Sequence, residues 1–261
     1  MAGSLNSHDD IAIAEIVVYT FLLFGALFLC KIHGFSRNAG WFYIVILSLA
    51  RIIGSGLLLG TVNDPSNTSL YVGWITLNGL GLGPLILINL GLLGRCFESI
   101  KRSGGTGVQI VYQRAIQLLM LVAVILISVG SANSNYTLNG ATPKIQYSTL
   151  SKVGIILMIV VLVLVVGQFI LALSNQSYIA HGERRLLIAI GASLPFMIVR
   201  LGYACALILG GHKQDTWLYL GAAVIMEMMV AIICEAVGFT LPKAPQHTEN
   251  QAMNMKTPPE A

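Results

Sequence analysis

Seven stretches of roughly twenty apolar residues leave this chain few folds to choose from. They run over about 11–30, 41–61, 70–93, 113–131, 152–173, 186–209 and 217–239. A hydrocarbon core about 30 Å thick takes roughly 20 residues of helix. Lipid offers the backbone no partner, so such segments must bond internally, as helices. The gaps differ in character: NDPSNTS at 63–69 and SANSNYTLNGATPK at 131–144 are polar and turn-forming. Composition agrees, with 56% hydrophobic and only 10% charged residues, where soluble proteins carry about a quarter charged. The expectation is an all-α bundle of seven transmembrane helices: a short segment 1–10, a membrane domain 11–240, and a polar, proline-containing tail 241–261 that reads as disordered.

The opening MAGSLNSHDD has no basic region and no cleavage site, so the first segment reads as a signal anchor. Lysine and arginine then set an orientation. Lys31, Arg37, Arg95, Lys101, Arg102, Arg114, Arg184, Arg185, Lys243 and Lys256 fall on one side; Lys144, Lys152 and Lys213 fall on the other. The first side is expected to be cytosolic, with the N-terminus outside or lumenal and the C-terminus cytosolic. The sequons at Asn67 and Asn135 then lie in outside loops, as glycosylation requires, and the one at Asn175 does not. Trp41, Trp74 and Trp217, near segment ends, suit interfacial anchoring. Cys30, Cys96, Cys205 and Cys234 include none in an outside loop, so no disulfide is expected. The endoplasmic reticulum and the plasma membrane are the expected locations.

Within the apolar segments, Glu15, Arg51, Arg200 and Glu227 stand out, with Glu235 nearer a helix end. A charge at the centre of a spanning helix costs about 2.5–3.5 kcal/mol on insertion scales, so such residues turn inward. Arg51 and Glu227 each lie ten residues into their segments, about 15 Å deep at 1.5 Å per residue. Helical spacing adds Ser48 and Ser55 to the face of Arg51, and Ser193 and Tyr203 to that of Arg200. It also aligns Asn78 with Asn89, and Gln117 with Ser128. Two readings stand beside each other: a structural Arg51–Glu227 ion pair, and a polar pocket that binds or transforms a ligand. Gly56 and Gly60, and the run Gly79, Gly81, Gly83, Pro84, read as close helix packing or a kink.

Several classes are excluded. The last segment has no lysine for a retinal Schiff base, and the rhodopsin-like signatures are replaced by GRCFESIK at 94–101 and EAVGFTL at 235–241. His8, His33, His181, His212 and His247 all fall in expected loops or tails, so neither an intramembrane zinc site nor any other metal or cofactor is expected. No paired-aspartate motif for magnesium diphosphate occurs, and no basic run suggests nucleic acid.

In size, seven-helix layout and short tails the chain resembles small fungal integral-membrane proteins. These include the membrane-bound terpene cyclases of meroterpenoid pathways and seven-helix lipid exporters. The resemblance covers nearly the whole chain but is one of layout, and no catalytic residue is carried over from it. From the residues, cyclising a prenyl chain needs a carboxylic acid that stays protonated, which a low-dielectric site favours. Glu227 is the expected acid and Glu15 the second candidate. Arg51, Arg200 and Asn78 would orient a head group, while Tyr203 and Tyr19 would stabilise cations through their rings. An arginine paired with Glu227 would keep it ionised and unfit for that role. The alternative is a receptor or transporter for a lipid or lipophilic small molecule, with membrane lipid as the other partner; a scaffold is the third. The oligomeric state is not encoded in any pattern found.

Overall fold

The computed structural model describes residues 7–33, 40–64, 67–105, 108–137, 144–179, 183–211 and 215–241. The first two spans are α1 (Ser7–His33) and α2 (Trp41–Asn63). The third joins α3 (Thr68–Leu80) to α4 (Leu82–Arg102). Then come α5 (Ile110–Ala132), a hairpin of β1 (Asn135–Thr137) and β2 (Lys144–Gln146), α6 (Thr149–Ser174) and α7 (Arg184–Ile208). The last span runs through α8 (Thr216–Tyr219), a π-helical segment Leu220–Ile225 and α9 (Met226–Thr240). The seven spans are long and apolar enough to cross a membrane, which makes this an all-α multi-pass architecture. All four cysteines are free thiols. From position 242 onward, the tail read as disordered lies outside the described residues.

The third span is the central one: 78% of its apolar window is buried, against 28% for the first. Phe21, Phe24 and Phe28 of α1 accordingly point away from the bundle, where lipid is the natural solvent. The third span was expected as one helix over 70–93, and it breaks at Gly81 instead. Pro84 sits in the first turn of α4, where a missing N–H costs nothing. Helix ends are closed locally. Asn67 accepts from Ser69 N at 3.2 Å at the start of α3, and Ser148 accepts from Ser151 N at 3.4 Å at the start of α6. After α4 the chain reverses through Gly104 at φ 80°, and Gly105 N returns to Ile100 O at 2.9 Å.

Three expectations are corrected. The polar gap after α5 holds an antiparallel hairpin, with Tyr136 opposite Ile145. Trp41 and Trp74 are buried rather than interfacial, and only Trp217 is exposed; a tryptophan near a helix end packs inward where a neighbour leaves room, as Gly238 does for Trp41. Gly56 and Gly60 do not form a close crossing, since a Cβ on Gly56 would meet nothing within 4 Å.

The close crossing lies between α5 and α6 instead. A Cβ on Gly154 would stand 2.9 Å from Ile127 N and 3.0 Å from Ala123 O, and backbone cannot yield as a side chain can. The hairpin end of this pair is tied by Ser148, whose hydroxyl donates to Gly130 O at 2.8 Å. Replacing Gly154 by leucine should force α5 and α6 apart and cost about 1–3 kcal/mol, the usual range for overpacking. A lowered thermal midpoint in detergent, absent for Gly56→Leu, would show it.

Candidate functional site

Four charged side chains from four helices converge in the bundle interior. Arg51, midway along α2, donates from Nε to Oε1 and from Nη2 to Oε2 of Glu227 on α9, a bidentate pair. Its Nη1 donates to Asn78 Oδ1 of α3 at 2.6 Å and lies 3.8 Å from Glu15 Oε1. Glu227 also accepts from Tyr19 Oη of α1 at 3.1 Å, and Arg200 Nε of α7 approaches it at 3.5 Å. Arg200 Nη2 donates to the Asn78 carbonyl at 3.2 Å. Glu15 accepts from Ser55 Oγ at 2.5 Å and Tyr219 Oη at 3.4 Å. Glu227 is 0% exposed and Arg51 3%, so the pair is out of reach of solvent and of lipid alike.

Two backbone irregularities make room for this. A Cβ on Gly81 would stand 2.6 Å from Arg51 Nη2 and 2.7 Å from Glu227 Oε2, so only glycine lets the third span pass the pair. On the last span, Tyr219, Ala223, Glu227, Ala231 and Glu235 are all buried. Steps of four residues drift by about 40° in a regular α-helix. The wider π turn at Leu220–Ile225 takes that drift back and keeps Tyr219 and Glu227 on one face. Such turns are frequent at functional sites.

The structure thus places Glu15, Tyr19, Arg51, Asn78, Arg200, Tyr203 and Glu227 in one cluster, Tyr203 through its ring, 6.0 Å from the Arg200 guanidinium carbon. Other polar residues of the spans lie outside it. Asn89, expected on the face of Asn78, takes no part in the charge cluster. It accepts from Ser193 Oγ at 2.6 Å and donates to the Leu85 carbonyl at 3.1 Å, apart from the charges. Gln117 and Ser128 are only half-buried, and Ser128 bonds back to Val124 O. Ser48 is buried near the start of α2 with its hydroxyl unpartnered. His8 was expected in a tail; it opens α1, 2.8 Å from Thr216 Oγ1 and against the rings of Trp74 and Tyr219. Tyr219 was missed, since it is uncharged and lies near the end of its segment; it reaches Glu15. The side chain of Asn135 lies outside the described residues.

Beside the cluster a small open cleft lies between α3, α5 and α7. Asn78, Gly79, Arg200 and Tyr203 line it, with Ile127 and Leu207 as apolar walls. Tyr203 is buried and its hydroxyl has no hydrogen-bond partner. Among the described residues no group of three His, Cys, Asp or Glu side chains could hold a metal ion.

A family described as a domain of unknown function (DUF7702) matches the chain over residues 5–244. The chain belongs to that family. No curated protein matches it. The DUF7702 region takes in all seven spans, and with them the whole charge cluster.

For this DUF7702 chain the cluster is an energetic keystone. Glu227→Gln leaves Arg51 buried without its carboxylate, and breaking a buried pair from one side costs about 3–5 kcal/mol. Thermal unfolding in detergent should show a large drop. Replacing both Arg51 and Glu227 by methionine should be milder than the single change, because no uncompensated charge remains.

Proposed function

We propose that this chain binds a lipophilic small molecule with an oxygen-bearing head group in the cleft beside Arg200, as its receptor or transporter. The observation that carries this is the difference between the two arginines. Arg51 is bound on both edges within a sealed pair. Arg200 holds Glu227 only at 3.5 Å and lines the cleft next to an unpartnered tyrosine hydroxyl. A head-group oxygen could accept from both, while Ile127 and Leu207 take the apolar tail. The formal charges of Glu15, Arg51, Arg200 and Glu227 cancel, so the ligand need not be charged.

Acid-catalysed cyclisation of a prenylated substrate is the second reading. Its weak point is Glu227: a carboxylate gripped by one arginine and approached by another is no proton donor. The acid would have to be Glu15, whose hydrogen-bond partners Ser55 and Tyr219 are neutral and whose nearest cation, Arg51, stands off at 3.8 Å. We further infer that the α1 N-terminus faces outside or the lumen of the endoplasmic reticulum or plasma membrane, on the strength of the lysine and arginine bias.

A charge-assisted hydrogen bond contributes about 1.5–3 kcal/mol, and 1.4 kcal/mol is tenfold in affinity. Arg200→Gln should therefore reduce a co-purifying lipophile, measured by mass spectrometry of the detergent-extracted protein, by about tenfold or more. Tyr203→Phe should reduce it less. Metabolites of the native host should keep the same product spectrum without the gene. Build-up of an uncyclised prenylated precursor, with loss of its isomer, would establish the cyclase instead. For orientation, a glycosidase-sensitive mobility shift should disappear when Asn67 and Asn135 are both replaced by glutamine; a chain glycosylated at neither in a glycosylating host would count against the assignment.

A further inference from the structure

The buried stripe of the last span continues past Glu227 to Glu235, which takes no part in the charge cluster. Eight residues separate the two acids, about 12 Å of helix, and their surroundings are opposite. Glu227 has two arginines and a tyrosine. Glu235 is 6% exposed, and its Oε2 is fully buried without a hydrogen-bond partner. No ion pair within 4.0 Å involves it among the described residues. Its seat is specific: a Cβ on Gly25 of α1 would collide with Glu235 Oε1, so α1 can lie against this carboxyl only because position 25 carries no side chain.

The charged groups of the neighbouring helices are engaged or directed elsewhere. On α1, Lys31 is exposed and six residues beyond Gly25, about 9 Å along the axis. On α7, Arg184 and Arg185 are exposed, and Arg185 Nη1 reaches Thr240 O at 3.5 Å. On α4, Arg95 and Glu98 form no ion pair with Glu235, and Glu98 pairs with Arg102. On α2, Trp41 packs on Gly238. An ionised carboxylate with neither cation nor donor costs several kcal/mol in an apolar interior, whereas a neutral acid costs far less.

We propose that Glu235 carries a proton in the resting protein and is a proton-binding site of the membrane domain. It lies five residues from the end of α9, about 7.5 Å along the axis. The seam that covers it is formed by α1, the least buried span. Parting α1 from α9 would admit water to the carboxyl and let the proton leave. Glu235 does not line the Arg200 cleft, so a ligand there is not required.

The test uses dicyclohexylcarbodiimide, an apolar reagent that adds to protonated carboxyls, on the full-length protein in liposomes, followed by peptide mass mapping. The expected result is an adduct on Glu235 and none on Glu227, with labelling that slows as the medium is made alkaline. Glu235→Gln should abolish the adduct. Mapping the unmodified sequence locates the label directly, so a variant that fails to fold leaves the test intact. A folded protein unlabelled at Glu235, a label on Glu227 in its place, or a rate indifferent to pH would each overturn the assignment.

Discussion

The Arg51–Glu227 pair sets the terms for the rest of the bundle. Either charge alone would be expelled from the middle of a membrane at about 2.5–3.5 kcal/mol, and together they are tolerated only if every remaining donor and acceptor is occupied. Neighbouring helices supply those partners. Tyr19 comes from α1, Asn78 from α3 and Arg200 from α7. The backbone yields to the same demand. The third span breaks and carries glycine where it passes the pair, and the last span widens into a π turn two residues before Glu227. Neither irregularity is needed to cross a bilayer. Both follow from seating an ion pair between helices.

Much of this was legible in the sequence, because lipid makes the rules strict. A charged residue in a twenty-residue apolar segment has to turn inward, and counting depth from the segment ends put Arg51 opposite Glu227. What escaped is which of the buried polar groups meet. Asn78 and Asn89 align by helical spacing, yet Asn78 joins the charges while Asn89 pairs with Ser193. Tyr219 carries no charge to mark it, and it meets Glu15 from the start of the last span, eight residues before Glu227. Trp41 shows a different limit: its position near a helix end fits an anchor, and only the partner helix, carrying Gly238, reveals that it is buried.

Binding and acid catalysis ask opposite things of a buried carboxyl. Catalysis needs an acid that is uncharged, reachable by substrate and free to give its proton. Glu227 is held by two arginines and sealed. Its geometry suits a fixed counter-charge that keeps Arg200 in place at the edge of the cleft. Arg200 then has two faces, one toward Glu227 and the Asn78 carbonyl and one toward the open space. A head group drawn to the second face would compete with the first, and so would be felt by the pair at the centre.

The same logic separates Glu227 from Glu235, two identical side chains on one stripe of one helix. The first is worth burying because cations surround it; the second can stay buried only by being neutral. α1 touches both, through Tyr19 on Glu227 and Gly25 on Glu235. It is also the least buried span. A displacement of α1 that exposed Glu235 would pull at the Tyr19 hydroxyl six residues away on the same helix, about 9 Å along the axis. The proton site and the charge cluster would then share one mechanical element, and the occupancy of either would bias the other.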